Sequence, residues 1–115
     1  MDFQQLKSYL LSKPGCTETY PFGPDPMVAK VGDKIFALVS IDSDPCCITI
    51  KCDPADAQIQ RSMYDSIQPG YHMNKEHWNT ITMDQTIPNN LFYQLVDDSY
   101  HLVLSKLSKK MRNLL

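Results

Sequence analysis

The sequence lacks the segments that direct a protein to or through a membrane. No stretch approaches the ~20 consecutive apolar residues that a transmembrane helix requires. The amino terminus, MDFQQLKSYLLSKPG, has no basic start, no apolar run and no small-residue cleavage site of the kind that marks a secretory signal. We therefore expect a cytoplasmic protein that makes no membrane contact.

The sequence also lacks an excess of positive charge. Eleven lysines and arginines stand against thirteen aspartates and glutamates, which gives a net charge of -2 at pH 7. A field of this sign repels a polyanion, so nucleic acid would have to bind at a local basic patch. With 115 residues, of which 43% are hydrophobic, the chain is long enough for a single domain, residues 1–115, around a modest core.

The spacings typical of a metal site are absent. There is no Cys-x-x-Cys and no His-x-x-x-His pair, and His72 and His77, five residues apart, do not share a face of a helix or a strand. Cys46 and Cys47 lie in a predicted strand, where at least one of them is a small buried hydrophobe rather than a nucleophile. The sequence therefore predicts no metal, no cofactor and no enzymatic activity.

The four cysteines, including Cys16, are predicted to be reduced thiols. Cys46, Cys47 and Cys52 fall within seven residues of one predicted strand. At about 3.3 Å per residue the first and the last are roughly 20 Å apart, which is far beyond the reach of a disulfide. Reduced, partly buried thiols are typical of cytoplasmic proteins.

The start of the chain predicts a short amphipathic helix. Asp2 can cap it, the segment KPG ends it, and three apolar residues share one face at helical spacing: Phe3, Leu6 and Leu10. The next segment, TETYPFGPDP (Thr17 to Pro26), contains three prolines and a glycine. This composition predicts an irregular connector with a short edge strand.

The clearest pattern is a β-hairpin followed by a third strand. MVAKV (Met27 to Val31) and KIFALVSI (Lys34 to Ile41) flank Gly32-Asp33, a two-residue turn whose glycine is expected to have a positive φ. In CCITIKC, residues 46–52, side chains alternate as in a strand with one buried face. Three consecutive antiparallel strands are therefore predicted.

Two helices and one strand are predicted in the second half of the chain. Asp53-Pro54 begins a helix that runs to about Tyr64 and places apolar residues at intervals of four: Ala55, Ile59 and Met63. DSIQPGYHMNKE is predicted to be a loop, HWNTITM (His77 to Met83) a strand, and residues 87–113 one long helix. The fold class is α+β, an antiparallel β-sheet packed with helices in one domain.

Four segments in this order resemble the MmcQ/YjbR family of small bacterial proteins: ETYPFG (Glu18 to Gly23), VAKVGDKIFAL (Val28 to Leu38), YHMNKEHWNTI (Tyr71 to Ile81) and SYHLVLSKLSKK (Ser99 to Lys110). The resemblance covers nearly the whole chain. It implies a compact fold similar to the frataxin-like CyaY fold, and DNA binding through a double-wing arrangement of strands and loops. It implies no catalytic residues.

The richest polar cluster is PGYHMNKEHWNTI, residues 69–81. In the predicted strand Trp78 shares a face with Thr80 and Thr82, opposite Ile81. If Ile81 faces the core, Trp78 lies on an outer surface, where its ring can stack on a base or anchor a partner. In the alternative interpretation Trp78 closes the edge of the core against a helix.

A second basic cluster ends the chain, where the last ten residues hold four positive charges and no acidic one. These side chains can complement a helix end and can also contact phosphates. The hypothesis is a weak, salt-sensitive interaction with DNA, or the binding of a protein partner, by residues of both clusters: Tyr71, His72, Asn74, Lys75, His77, Trp78, Asn79, Lys106, Lys109 and Lys110.

Two alternatives to DNA binding remain open. A protein-interaction or regulatory module would use Trp78 and Tyr71 as aromatic anchors. A small-ligand-binding domain would hold its ligand under the PGYHMNK loop.

Overall fold

The computed structural model describes residues 2–70 and 73–115. Within them the chain forms four α-helices and six β-strands, in this order: α1 (Phe3–Leu11), β1 (Cys16–Thr19), β2 (Met27–Val31), β3 (Lys34–Ser40), β4 (Cys47–Lys51), α2 (Pro54–Met63), β5 (Ile67–Pro69), β6 (Trp78–Thr82), α3 (Asn89–Leu104) and α4 (Lys109–Asn113). The strands form one antiparallel sheet in the order β1-β2-β3-β4-β6-β5. The predicted α+β fold is confirmed.

Helix α1 begins with a capping box. The Asp2 carboxylate accepts a hydrogen bond from the backbone N–H of Gln5 at 2.9 Å, and the Gln5 side-chain oxygen accepts one from the N–H of Asp2 at 3.0 Å. Leu6 and Leu10 are fully buried. The predicted cap and buried face are both confirmed.

Strands β2 and β3 form the predicted hairpin. Val31 pairs with Lys34, and Gly32 in the turn has a φ of 61°. The position is also crowded, because a Cβ atom on Gly32 would lie 2.9 Å from Cγ of Met111. Glycine is required here both by the backbone conformation and by the close approach of the C-terminal segment.

The sequence-based prediction missed strand β5. Ile67 pairs with Ile81 of β6, and Gln68 pairs with Thr80, inside the segment that was predicted to be a loop. β5 has only three residues and ends in Pro69, so it is too short to show an alternating pattern.

The prediction of a single long C-terminal helix was wrong, because the helical structure is interrupted between α3 and α4. The Ser108 hydroxyl accepts a hydrogen bond from the Met111 N–H at 3.1 Å and caps a new helix. Leu107 lies in the break and is still buried, with 4% of its surface exposed. Its apolar spacing therefore predicted burial correctly but not the helix.

Helix α2 begins as predicted, with Asp53 as the cap. Its apolar side chains at intervals of four do not face the core, since Ile59 is 56% exposed and Met63 is 63% exposed. Ala57 is the residue that the helix buries.

The main core lies between one face of the sheet and the helices α1 and α3. It joins Leu6 of α1 and Val96 of α3 to Ile48 and Ile81 of the central strands. The opposite face, called the outer face below, carries Thr49 and Thr80, whose hydroxyl oxygens lie 2.8 Å apart. No helix within residues 2–70 and 73–115 is both long and apolar enough to cross a bilayer.

The connections between strands lie at two opposite ends of the sheet, because neighbouring strands are antiparallel. The hairpin end comprises Gly32-Asp33, the junction 52–53, the loop 70–77 and the C-terminal segment 105–115, in which Leu107 and Met111 lie against Gly32. The aspartate end comprises the connections 20–26, 41–46, 64–66 and 83–88.

Candidate functional site

Local hydrogen bonds of Asn74 shape the part of the loop that directly precedes β6. The Asn74 side-chain oxygen accepts a hydrogen bond from the Glu76 N–H at 2.9 Å, and the Asn74 carbonyl accepts one from the His77 N–H at 3.1 Å. Asn74 therefore shapes a turn, as Asn commonly does. Lys75 is exposed and His77 is partly buried. Tyr71 and His72, the other two predicted site residues of this loop, lie outside the described residues.

Trp78 lies on the outer face, as the alternation with Ile81 predicted, but it is not open to solvent. Only 7% of its surface is exposed, because a second apolar cluster on the outer face packs it against Val28 and Leu38. Met73 of the loop packs on the same cluster. The interpretation in which its ring is free to stack on a base is therefore corrected, because Val28, Leu38 and Met73 pack around Trp78.

Asn79 is fully buried and has a structural role. Its side-chain oxygen accepts a hydrogen bond from Nε of Arg61 at 2.6 Å, and its amide donates to the Gln60 side chain at 3.1 Å and to the Ala57 carbonyl at 3.3 Å. Arg61 also donates to the carbonyls of Lys75 and Trp78. These bonds tie α2 to β6 and to the loop. Asn79 is thereby removed from any surface that a partner touches.

The basic residues at the end of the chain are exposed and lie at the hairpin end. Lys106 follows α3, and Lys109 and Lys110 begin α4. Their position follows from Leu107 and Met111, which pack against the turn at Gly32.

The two ends of the sheet carry opposite charge. The segments of the hairpin end contain five basic residues, Lys75, Lys106, Lys109, Lys110 and Arg112, and three carboxylates, Asp33, Asp53 and Glu76. Lys34 of β3 and Lys51 of β4 adjoin these segments. The aspartate end has five carboxylates in its connections and no lysine, arginine or histidine there, among the residues that the structure describes: Asp25, Asp42, Asp44, Asp65 and Asp84. A protein with a net charge of -2 therefore has one basic end, with five cations against three carboxylates in its segments.

A buried serine holds the strands at the hairpin end together. Ser99 of α3 is fully buried, and its hydroxyl accepts a hydrogen bond from the Lys51 N–H at 2.9 Å and donates one to the Phe36 carbonyl at 2.7 Å. It thus bridges β3 and β4 beyond their last described pair, Ala37 with Ile50. The backbone that carries Lys51 is thereby fixed.

A charged cluster joins α1 to α3 on the helical side of the sheet. The Tyr9 hydroxyl donates to Asp97 at 2.5 Å, and Lys13 forms an ion pair with the same carboxylate. Burial raises the pKa of Asp97, but the bonds from Lys13 and Tyr9 outweigh it and hold that pKa below its ordinary value. Burial lowers the pKa of Lys13, and the bonds to Asp97 and Tyr9 reverse this and raise it. These groups stabilise the helix pair, and each has its partner within the cluster.

The cysteines are four free thiols, three of them partly buried and Cys52 buried. Burial raises the pKa of Cys16 and of Cys52 to about 11, so neither supplies a thiolate nucleophile at neutral pH. Within residues 2–70 and 73–115, no three His, Cys, Asp or Glu side chains are close enough together to hold a metal ion.

A family model described as YjbR matches residues 11–102 of the chain. The sequence is 39% identical over 114 residues to the uncharacterized protein YbdF of Escherichia coli O157:H7, covering 96% of this chain and 93% of the relative. It is 30% identical over 115 residues to the uncharacterized protein YjbR of Escherichia coli strain K12, covering 100% of this chain and 98% of the relative.

Two solved structures have a similar fold. The Deinococcus radiodurans protein DR2400, with a domain described as DUF419, superposes with a TM-score of 0.92 at 37% identity, covering 98% of this chain and 86% of that one. A protein from Pseudomonas syringae superposes with a TM-score of 0.77 at 29% identity, covering 89% of this chain and 98% of that one.

Proposed function

This chain belongs to the YjbR family, and from that premise and the charge of its hairpin end we propose that it is a small, non-enzymatic domain that binds DNA. Binding takes place at the hairpin end, is weak, and is sensitive to salt. We also propose that the domain works in the cytoplasm, where DNA and reduced thiols are both found.

The observation that carries this proposal is the separation of charge along the strands. Five basic side chains and three carboxylates lie in the segments of the hairpin end, while the charged side chains in the connections of the aspartate end, within residues 2–70 and 73–115, are carboxylates alone. An excess of cations at one end, opposite an acidic end, orients the molecule toward a polyanion, even though the net charge is negative. Mixed charges scattered over the whole surface would not have this effect.

Lysine and arginine contacts to phosphate supply most of the affinity in this proposal. Lys109 and Lys110 are exposed on α4, and Lys75 is exposed in the loop before β6. Trp78 and Asn79 are excluded as direct contacts by their burial, so binding does not depend on base stacking. Without base-edge contacts we expect little preference among sequences.

The proposal is tested by fluorescence anisotropy of a labelled duplex of about 20 base pairs at several salt concentrations. If four lysines contact phosphates, the logarithm of the binding constant falls with a slope of about -3.6 against the logarithm of salt concentration. Between about 50 and 200 mM salt the affinity should then drop about 150-fold. Replacing both Lys109 and Lys110 with alanine should reduce the slope by about 2 and weaken binding about equally to all sequences.

The matched control is Lys7→Ala. Lys7 belongs to α1 and lies 3.4 Å from Glu18, away from the hairpin end, so its loss should leave the affinity nearly unchanged. Absence of binding at about 50 mM salt, or an equal loss in Lys7→Ala and in the double variant, would refute the proposal.

The structure gives less support to the two alternatives, a protein-interaction module and a small-ligand-binding domain. Trp78 is covered by Met73 and Leu38, so it does not offer an aromatic anchor to a protein partner. A partly open cavity lies elsewhere, between the end of β6 and the start of α3, against Ile81 and Phe92, and its volume of about 20 Å³ has room for about one water molecule. A wider, open depression of about 540 Å³ lies beside Tyr9 and Tyr93, on the helical side of the sheet and not under the PGYHMNK loop.

A further inference from the structure

We propose that the aspartate end of one molecule docks on the C-terminal segment of a second copy, so that copies associate head to tail. The contact pairs two exposed apolar patches of opposite charge that lie at opposite ends of the sheet. The contact goes beyond the proposed DNA binding but uses the same cations of α4, Lys109, Lys110 and Arg112, so the two contacts would compete, and the test below is therefore made without DNA.

The first patch is aromatic and acidic. Phe22 is 66% exposed and Tyr20 is 42% exposed, both in the connection between β1 and β2 at the aspartate end. Three residues further along the chain, the Asp25 carboxylate accepts a hydrogen bond from the Ile41 N–H at 2.5 Å, which joins this connection to the next one. That next connection carries the exposed side chains of Asp42 and Asp44. The aromatic pair is therefore flanked by carboxylates.

The second patch is aliphatic and basic. Leu114 is 72% exposed and Leu115 is 46% exposed. They directly follow α4, whose exposed cations include Lys109, Lys110 and Arg112. The Leu115 side chain lies against Gly15, where an added Cβ would be 2.5 Å from Cδ2 of the leucine, so the segment has a defined place at the hairpin end.

The two patches are complementary in charge. The first has exposed aromatic side chains beside carboxylates, and the second has exposed leucines beside ammonium and guanidinium groups. Stable contacts commonly place an apolar anchor at the centre and charged groups at the rim. Opposite charge brings the two patches together in the correct orientation and disfavours contact between two identical patches. Because the patches lie at opposite ends, the contact is heterologous, and chains of copies can form.

The test measures self-association by sedimentation velocity over a range of protein concentrations, at low salt and without DNA. The native chain should sediment as a concentration-dependent mixture that returns to monomer as salt rises, because the rim is ionic. Phe22→Ser and Leu114→Ser should each weaken association about tenfold, as expected when an apolar anchor is lost. Ile59→Ser is the matched control, because Ile59 is similarly exposed but lies on α2, outside both patches.

Mixing the two variants distinguishes this contact from a symmetric one. Phe22→Ser keeps the basic patch and Leu114→Ser keeps the aromatic patch, so an equimolar mixture should form dimers that do not extend further. A symmetric contact through Phe22 would instead leave Leu114→Ser associating by itself, and adding Phe22→Ser would not increase the association. A native chain that stays monomeric at every concentration, a loss in Ile59→Ser equal to that in Phe22→Ser, or a mixture without dimers would overturn the inference.

Discussion

Replacing Ser99 of α3 with alanine should destabilise the protein much more than replacing Ser105, the serine that directly follows α3. The hydroxyl has two partners, the Lys51 N–H and the Phe36 carbonyl, and the residue is fully buried. Without the hydroxyl, both backbone groups lose their partner at a site that water does not reach. A buried polar group left unpaired costs about 1 to 3 kcal/mol.

The two unpaired groups together should cost about 2 to 6 kcal/mol, and the better helix propensity of alanine reduces this loss by about 0.5 kcal/mol. For a chain of this length, 1 kcal/mol corresponds to about 4 °C, so the melting temperature should fall by roughly 6 °C or more. Urea denaturation followed by circular dichroism should show a lower midpoint and an unchanged slope, because the surface exposed on unfolding is the same.

Ser105→Ala is the matched control. Ser105 follows α3, is exposed, and its hydroxyl donates to the Leu102 carbonyl at 2.6 Å. Since water can replace that bond, the variant should stay within about 0.5 kcal/mol of the native protein. If Ser99→Ala and Ser105→Ala had equal stability, the bridge between β3 and β4 would not exist as described.

Gly32→Val should lower the free energy of unfolding by more than about 1 kcal/mol, because a β-branched residue resists a positive φ and would clash with Met111; an unchanged urea midpoint would refute the turn assignment. Trp78 should emit at short wavelength, shift to longer wavelength on unfolding, and not respond to DNA even when anisotropy shows binding, because its ring is buried. The folded-state pKa of Asp97 is below its ordinary value of 3.8, so its contribution to stability is present above about pH 4 and is lost as the pH falls through the folded-state pKa. Asp97→Asn should remove this part of the acid dependence in urea denaturation at several pH values, and an unchanged dependence would contradict the role of Lys13 and Tyr9.

Local signals in the sequence predicted the elements that local chemistry determines. The Asp2 cap, the Gly32 turn and the alternation of residues 46–52 each depend on residues close together in the chain, and each was confirmed. β5 was missed because it has three residues and exists only by pairing with β6. The break before α4 was missed because apolar spacing continues through Leu107, although α3 ends at Leu104 and Ser108 caps the start of a new helix.

The candidate site was harder to predict, because a polar residue that binds a partner and one that holds the fold together look alike in sequence. The side-chain oxygen of Asn79 accepts a hydrogen bond from Arg61, eighteen residues away, and no sequence pattern links the two residues. Trp78 is covered by Val28 and Leu38 from distant strands, together with the loop residue Met73. The charge separation was equally hidden, since Lys34 and Lys110 are distant in sequence and meet at one end only through the sheet topology.

The order of the strands also bears on how readily a strand of another chain could extend the sheet. The sheet ends in β1 on one side and β5 on the other, with four and three residues respectively. β5 stops at a proline, which has no N–H to offer a neighbour, and β1 carries the charge of Glu18 and is followed within two residues by Pro21. Short, charged and proline-limited edges resist the strand-by-strand growth that leads to amyloid. The exposed aromatic residues next to β1 are therefore tolerated, because the edge beside them is a poor template for another strand.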